Sequence, residues 1–235
     1  MTRGGDIATF PRGGSDITGS ILAAAIRADV YENWTDVDSV YAVNPALVRN
    51  PHPVSEITYD EMRELAYAGF SVLHEEALAP SFRHDIPVNI RNTNNPTAQG
   101  TMIVRHRANF EGTVTGIAGA KGFSMITMSR YLMNREVGFA LKVLKILADE
   151  DIPFEHMPSG IDSISIVIRR DVFPPEKEKK VLDRLQAELG LDRISVEHGL
   201  AIVMIVGEAM ARTVGVTARA ASALAKAGVN LEIIN

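Results

Sequence analysis

A shift of 77 positions lays the second half of this chain over itself. It pairs Gly122 with Gly199, Met133 with Met210, Val137 and Gly138 with Val214 and Gly215, Leu147 with Leu224, Ile152 with Val229, and Glu155 with Glu232. Each copy reads as an apolar strand (123–128 and 200–206), a glycine-opened helix (to 150 and to 227) and a second strand. A period this long is too great for a solenoid repeat and points to duplication of a small domain. The first copy continues with a strand over 163–169, a helix over 175–189 and a strand over 193–197. The resulting order, β-α-β-β-α-β, is ferredoxin-like. The second copy stops after its second strand, so it is expected to be incomplete and the chain a piece of a longer one. The organisation expected is 1–109, then 110–198, then an unfinished 199–235.

The first 109 residues follow a different rule. Residues 4–10 read as a strand that feeds Phe10-Pro-Arg-Gly-Gly-Ser-Asp16. A helix over 17–26 follows, with apolar residues at 17, 21, 22, 25 and 26. Glycines let backbone N–H groups approach a ligand, and a helix N-terminus favours an anion. Arg12 and Asp16 flank them with opposite charges, as a zwitterionic ligand would require. An ordinary strand–turn–helix joint reads equally well from the loop alone. Residues 29–35 are β-rich and end in a turn carrying Asp36 and Asp38. Strand, helix, strand at this spacing is a βαβ unit with a parallel sheet, whose ligands sit at the carboxyl ends of the strands. Either aspartate could hold Mg²⁺ or simply close an Asx turn. Helices are expected over 55–70 and from 72 to 80. Strands are expected over 86–91 and 101–105 around a loop at 92–100, with a polar linker over 105–109.

Composition excludes several function classes. The formal charge of −5 leaves no basic stripe for nucleic acid, and no apolar run reaches membrane-spanning length. There is no cysteine, hence no disulfide and no thiolate metal site, and the cytosol is the default compartment. The six histidines show no metal-ligand spacing, so no resident metal site is expected.

Together the two halves resemble the aspartate kinase family, amino-acid kinases with paired regulatory ACT domains. The resemblance rests on Arg12-Gly-Gly-Ser-Asp16, Thr35-Asp-Val-Asp38 with Val40-Tyr41, and Leu73-His74. In the repeats it rests on Leu132-Met133, Val137-Gly-Phe139, Ile146-Leu147 and Ser163-Ile-Ser165. Leu132-Met-Asn-Arg-Glu-Val-Gly-Phe139 and Glu155-His-Met-Pro-Ser-Gly160 look like the monofunctional branch. The fold implied is α/β: the C-terminal part of an amino-acid-kinase parallel-sheet domain, then α+β ferredoxin-like ACT domains. The activity implied is transfer of the ATP γ-phosphoryl group to the β-carboxylate of L-aspartate, with Mg²⁺ shielding the phosphates. This is the first step toward lysine, threonine and methionine.

The resemblance carries roles to individual residues. Arg12 would meet a substrate carboxylate, Asp16 the ammonium, and Ser15 would sit beside the substrate. Gly13 and Gly14 would leave room for the phosphoryl group, and Thr35, Asp36 and Tyr41 would line the ATP pocket. A lysine or threonine effector would lie at Met133, Gly138, Phe139, Glu155, Ser159 and Asp162, in a homo-oligomer paired through its ACT domains. Three positions depart from the family pattern: Ser39 replaces a glycine, and Ala46 and Ser71 each remove a cation from the nucleotide side. The family's Lys-Phe-Gly-Gly half does not precede the glycine loop, so these 235 residues alone are expected neither to catalyse nor to behave well as a monomer. The alternative reading is a non-catalytic effector-binding or oligomerising module.

Overall fold

The computed structural model describes residues 5, 13–67, 69, 75–107 and 112–234. The expected strand at 4–10, Arg12, and Leu73-His74 lie outside the described residues. Two compact units are present. The first comprises 1–119 with 203–220, and the second 120–202 with 221–235. No helix among the described residues is long and apolar enough to cross a membrane.

The first unit opens with α1 (Gly14–Ile26), followed by β1 (Tyr31–Thr35), β2 (Val40–Tyr41), β3 (Pro53–Val54) and β4 (Glu56–Thr58). Then come α2 (Tyr59–Tyr67), α3 (Ala79–Arg83), β5 (Val88–Asn92) and β6 (Thr101–Val104). The main sheet runs β1-β5-β6-β4, with β1 and β5 parallel, β5 and β6 antiparallel, and β4 and β6 parallel. β2 and β3 form a separate antiparallel pair. Val40, Ile57, Met62, Leu65, Val88, Ile90 and Ile103 are fully buried between the sheet and its helices. Tyr59 opens α2, donates to the Ile86 carbonyl and meets Phe82 edge-on at 5.4 Å; burial pushes its hydroxyl up to about 12.

Three expectations for this unit are corrected. Residues 56–58 are a strand, not the first turn of a helix, because a three-residue segment takes its state from the sheet neighbour it pairs with. α1 does not bury the face carrying residues 21, 22 and 26. Ile21, Leu22 and Ile26 are exposed, while Ile17, Ser20 and Ala23 face inward. Ser20 turns in because its hydroxyl meets that of Ser81 at 2.7 Å and accepts from the Ser81 N–H at 3.0 Å. Residues 105–107 are no linker either. Arg105 pairs with Asp85 at 2.9 Å, and Arg107 is buried against Glu61.

The second unit takes its sheet from β8 (Ser163–Arg169) and from the parts within 120–202 of β7 (Gly116–Ser129) and β9 (Arg193–Val206), in the order β8-β7-β9. β7 and β8 are antiparallel, with Phe123 opposite Arg169. Two helices, α4 (Phe139–Asp149) and α5 (Pro175–Leu189), supply the other layer. β8 alternates Ile164, Ile166 and Ile168 inward, the period of a strand. Val181, Leu185 and Leu189 recur every fourth residue along α5, and Phe139, Val143 and Leu147 do so along α4. These rows interlock in one apolar core.

The strand expected after α4 is present only as an irregular edge. The segment bridges β8 at His156–Val167 and Ser159–Ile164, giving the ferredoxin-like neighbour order without a regular ladder. Pro153 and Pro158 have no N–H to donate, which limits pairing there. The two strands expected at 193–197 and 200–206 are one continuous strand, β9, which passes through Gly199 at φ +76°. A last helix, α6 (Val216–Lys226), opens after Gly215, and residues 229–234 after it form no strand.

Candidate functional site

Gly13 sits at the N-cap of α1 with φ +63°, a left-handed conformation that glycine adopts without penalty. Gly14 begins the helix, Ser15 is exposed and Asp16 lies in the first turn, where a carboxylate suits the helix dipole. The Ser15 hydroxyl donates to Asp16 Oδ1 at 3.4 Å. Two residues on β1 reach the same turn. Asn33 Nδ2 donates to Asp16 Oδ1 at 3.1 Å and to the Tyr31 hydroxyl at 2.9 Å. The Tyr31 hydroxyl donates to the Asp16 carbonyl at 3.4 Å. Neither Tyr31 nor Asn33 was singled out from the sequence. The available signal was the alternation that places Tyr31, Asn33 and Thr35 on one face of β1.

At the carboxyl end of β1 the Thr35 hydroxyl donates to Asp36 Oδ1 at 3.2 Å, and Asp36 is exposed. The neighbouring parallel strand β5 ends beside it, with the Thr93 N–H on the Thr35 carbonyl at 2.8 Å. Asp38 is turned to the loop after β5. Its Oδ1 accepts from Asn92 Nδ2 at 2.7 Å and Asn95 Nδ2 at 3.2 Å. Tyr41 pairs with Pro53 across the β2–β3 ribbon. The structure thus gathers Asp16, Thr35 and Asp36 around β1, at the sheet edge where parallel strands present ligand-binding loops. Asn44 closes an Asx turn onto the Ala46 N–H at 2.9 Å.

The second group is less convergent. Gly138 is the left-handed N-cap of α4 at φ +82°. Met133 and Phe139 are 6% and 4% exposed and belong to the apolar core of their unit, so they do not wall an open site. Glu136 bridges Arg130 at 2.5 Å and Lys142 at 2.6 Å, and the Lys142 hydrogen bond leads the interactions that hold it below the usual carboxylate range. The Asp162 carbonyl accepts from the Arg130 N–H at 3.0 Å, placing Asp162 by that same end of the sheet. Ser159 is exposed on the edge segment.

Glu155 lies elsewhere. Its Oε1 is ion-paired with Arg169 Nε at 2.8 Å, at the far end of β8 from Asp162. A seven-residue strand at about 3.3 Å per residue separates them by roughly 20 Å. Within one chain, Glu155 therefore does not join Gly138 and Asp162. Among the histidines, His198 spans Ser124 at 2.8 Å and Glu178 at 3.4 Å. Ser124 is fully buried, so this row is a structural brace and not a nucleophile with its base.

Comparison with known proteins gives these groups a context. Residues 1–92 match the amino acid kinase family and residues 203–235 match an ACT domain. Aspartokinase 3 of Bacillus subtilis is 55% identical over 235 residues, which is 100% of this chain and 52% of that protein. The aspartokinase of Mycobacterium tuberculosis is 33% identical over 240 residues, 98% of this chain and 56% of that one. The crystal structure of Clostridium acetobutylicum aspartate kinase superimposes with a TM-score of 0.92 at 44% identity, covering 99% of this chain and 54% of that chain. Escherichia coli aspartokinase III in complex with aspartate and ADP gives 0.72 at 30% identity, covering 91% and 48%. The chain spans about half the length of the curated relatives it matches.

Proposed function

We infer, for a chain whose 235 residues belong to the aspartate kinase family, that it supplies part of a site where ATP phosphorylates the β-carboxylate of L-aspartate. The observation that carries this is the meeting of Asp16, on the first turn of α1, with β1, whose carboxyl end presents Thr35 and Asp36. The relative from E. coli holds aspartate and ADP together, and the same division of labour fits here. Arg12 takes a substrate carboxylate, Asp16 the ammonium, and Ser15 sits beside them. Gly13 and Gly14 leave room for the group in transfer, while Thr35, Asp36 and Tyr41 serve the nucleotide. Asp36 is exposed and, among the described residues, carries only the Thr35 hydroxyl on Oδ1, so it is the carboxylate suited to a phosphate-bound Mg²⁺. A carboxylate nucleophile is ionised at neutral pH and needs no strong base, so the work is positioning and charge neutralisation.

The regulatory reading follows the same pattern. Aspartokinase III of E. coli also forms a complex with lysine and aspartate, and an amino-acid effector, lysine or threonine, suits the Gly138 turn with Ser159 and Asp162. Glu155 would have to leave Arg169 or act from another chain of a cytoplasmic homo-oligomer. The domain division proposed is a kinase part over 1–109, one ACT domain over 110–198 and part of a second over 199–235.

A coupled assay of the full-length protein tests both readings. Aspartate-dependent ADP release is expected, inhibited by lysine or threonine. Arg12→Ala should lower kcat/KM by about a hundredfold or more, the usual loss when a positioned cation at a developing charge is removed. An intact, folded protein that releases ADP no faster with aspartate than without it would sink the proposal.

A further inference from the structure

We propose that Asn33 is a positioning residue that sets the Asp16 carboxylate for the substrate's ammonium group, working with Tyr31 and resting on the substrate reading above. Asn33 is 7% exposed and sits in mid-strand on β1, where an apolar residue would be the ordinary choice. Both protons of its amide nitrogen are committed, one to Asp16 Oδ1 at 3.1 Å and one to the Tyr31 hydroxyl at 2.9 Å. The Tyr31 hydroxyl hands its own proton to the Asp16 backbone carbonyl at 3.4 Å. Asp16 is thereby held by side chain and main chain at once, with its donors converging on Oδ1. Among the described residues no donor falls on Oδ2, the oxygen left to receive an ammonium.

The chemistry explains the residue type. An aspartate at position 33 would bring a second carboxylate to about the same 3 Å and raise the pKa of one of the two. A leucine would leave Tyr31 and Asp16 without their donor inside a protein wall. Tyr31 stays a neutral donor, since burial raises its hydroxyl above the ordinary value. The tyrosine in turn depends on Gly19 of α1. A Cβ there would meet the Tyr31 hydroxyl oxygen at 2.5 Å, so the helix must be bare at this position for the ring to lie against it.

Steady-state kinetics of the full-length enzyme separates this role from a general one. In Asn33→Leu the KM for aspartate should rise roughly tenfold or more, the scale of one hydrogen bond to a charged group, with kcat and the KM for ATP within about twofold of wild type. Asn33→Asp should give the same aspartate-specific loss. Gly19→Ala, which displaces Tyr31 without touching Asn33, should reproduce it more weakly. If Asn33→Leu fails to fold, Asn33→Ser and Gly19→Ala carry the comparison. Equal changes in both KM values, a loss confined to kcat, or no change in an active wild-type background overturns the assignment alone. A wild type without aspartate-dependent ADP release overturns the parent reading, and this one with it.

Discussion

Glu61→Ala is expected to destabilise the first unit by about 3–5 kcal/mol, the cost of removing one partner from a buried ion pair. The Glu61 side chain is 4% exposed and Arg107 5%, with Nη1 and Oε2 3.4 Å apart. Glu61 also accepts from the Thr58 N–H at 2.9 Å, the Thr115 hydroxyl at 2.7 Å and the Glu208 N–H at 2.8 Å. One carboxylate thus ties α2 to chain segments 54 and 147 residues away. Alanine takes the carboxylate away from the Arg107 guanidinium, whose Nη1 still donates to the Thr115 hydroxyl at 3.0 Å, and removes the acceptor from three donors, the Thr58 and Glu208 N–H groups and the Thr115 hydroxyl. Glutamine keeps an acceptor but not the charge, and should cost about 1–3 kcal/mol.

The same residue sets a pH dependence with a definite sign. Burial pushes the Glu61 carboxyl up, but the hydrogen bonds from Thr58, Glu208 and Thr115 and the Arg107 charge outweigh it, and the group lies below its ordinary value of 4.5. A depressed folded pKa means stability that is present in full above the unfolded value and lost as pH falls through the folded one. The first unit should therefore weaken progressively below about pH 4.5, and Glu61→Gln should flatten that slope. The chain has a single tryptophan, Trp34, and it lies on β1 in this unit under the Arg91 guanidinium at 5.0 Å. Its fluorescence in urea reports the unit alone. Equal midpoints for wild type and Glu61→Ala, or identical pH slopes for wild type and Glu61→Gln, would refute the role given to this carboxylate.

Glu61 also marks the limit of what the sequence can disclose. β8 and α5 are legible to the residue at 163–169 and 175–189 because their signals are local. β8 has strict alternation, and α5 has a fourfold apolar period opened by Pro175 and closed by Gly190. Residues 105–107 read as a polar linker because the partner that buries Arg107 lies 46 residues upstream. Likewise the charge on Glu155 is visible in the sequence, but its answer, Arg169, is fixed only once the edge segment lies along β8. The inward face of α1 was missed for the same reason. Ser20 is buried by virtue of Ser81, and no helical period can announce that. At the candidate site the glycine loop and the carboxylates stand out by type and spacing. Asn33 does not, since an asparagine in a strand carries no motif, and only its two partners give it meaning.

The largest effect from adding a single methyl group is expected at Gly100. It has φ +81°, and a Cβ there would lie 2.0 Å from the Ile90 carbonyl oxygen and 2.8 Å from Asn89 Oδ1. The left-handed conformation alone costs an L-residue about 1 kcal/mol. The carbonyl is a different matter, because it belongs to the backbone of β5 and cannot swing aside as a side-chain tip can. Ile90 pairs with Thr101 across the β5–β6 ladder, so relief requires separating the strands or displacing the loop over 92–100. Gly100→Ala should therefore cost about 3 kcal/mol or more. Gly138→Ala is the matched control, with φ +82° and nothing within 4 Å of the added carbon, and should cost only about 1 kcal/mol in its own unit. The functional consequence follows from what the loop holds. Asn92 and Asn95 fix Asp38, and the Thr93 N–H fixes the Thr35 carbonyl beside Asp36. In the full-length enzyme, Gly100→Ala should raise the KM for ATP more than that for aspartate, the reverse of the Asn33→Leu signature. If the two glycine variants are destabilised equally, the clash with Ile90 is not what makes position 100 a glycine. If Gly100→Ala leaves the KM for ATP unchanged, the loop after β5 does not support the nucleotide side.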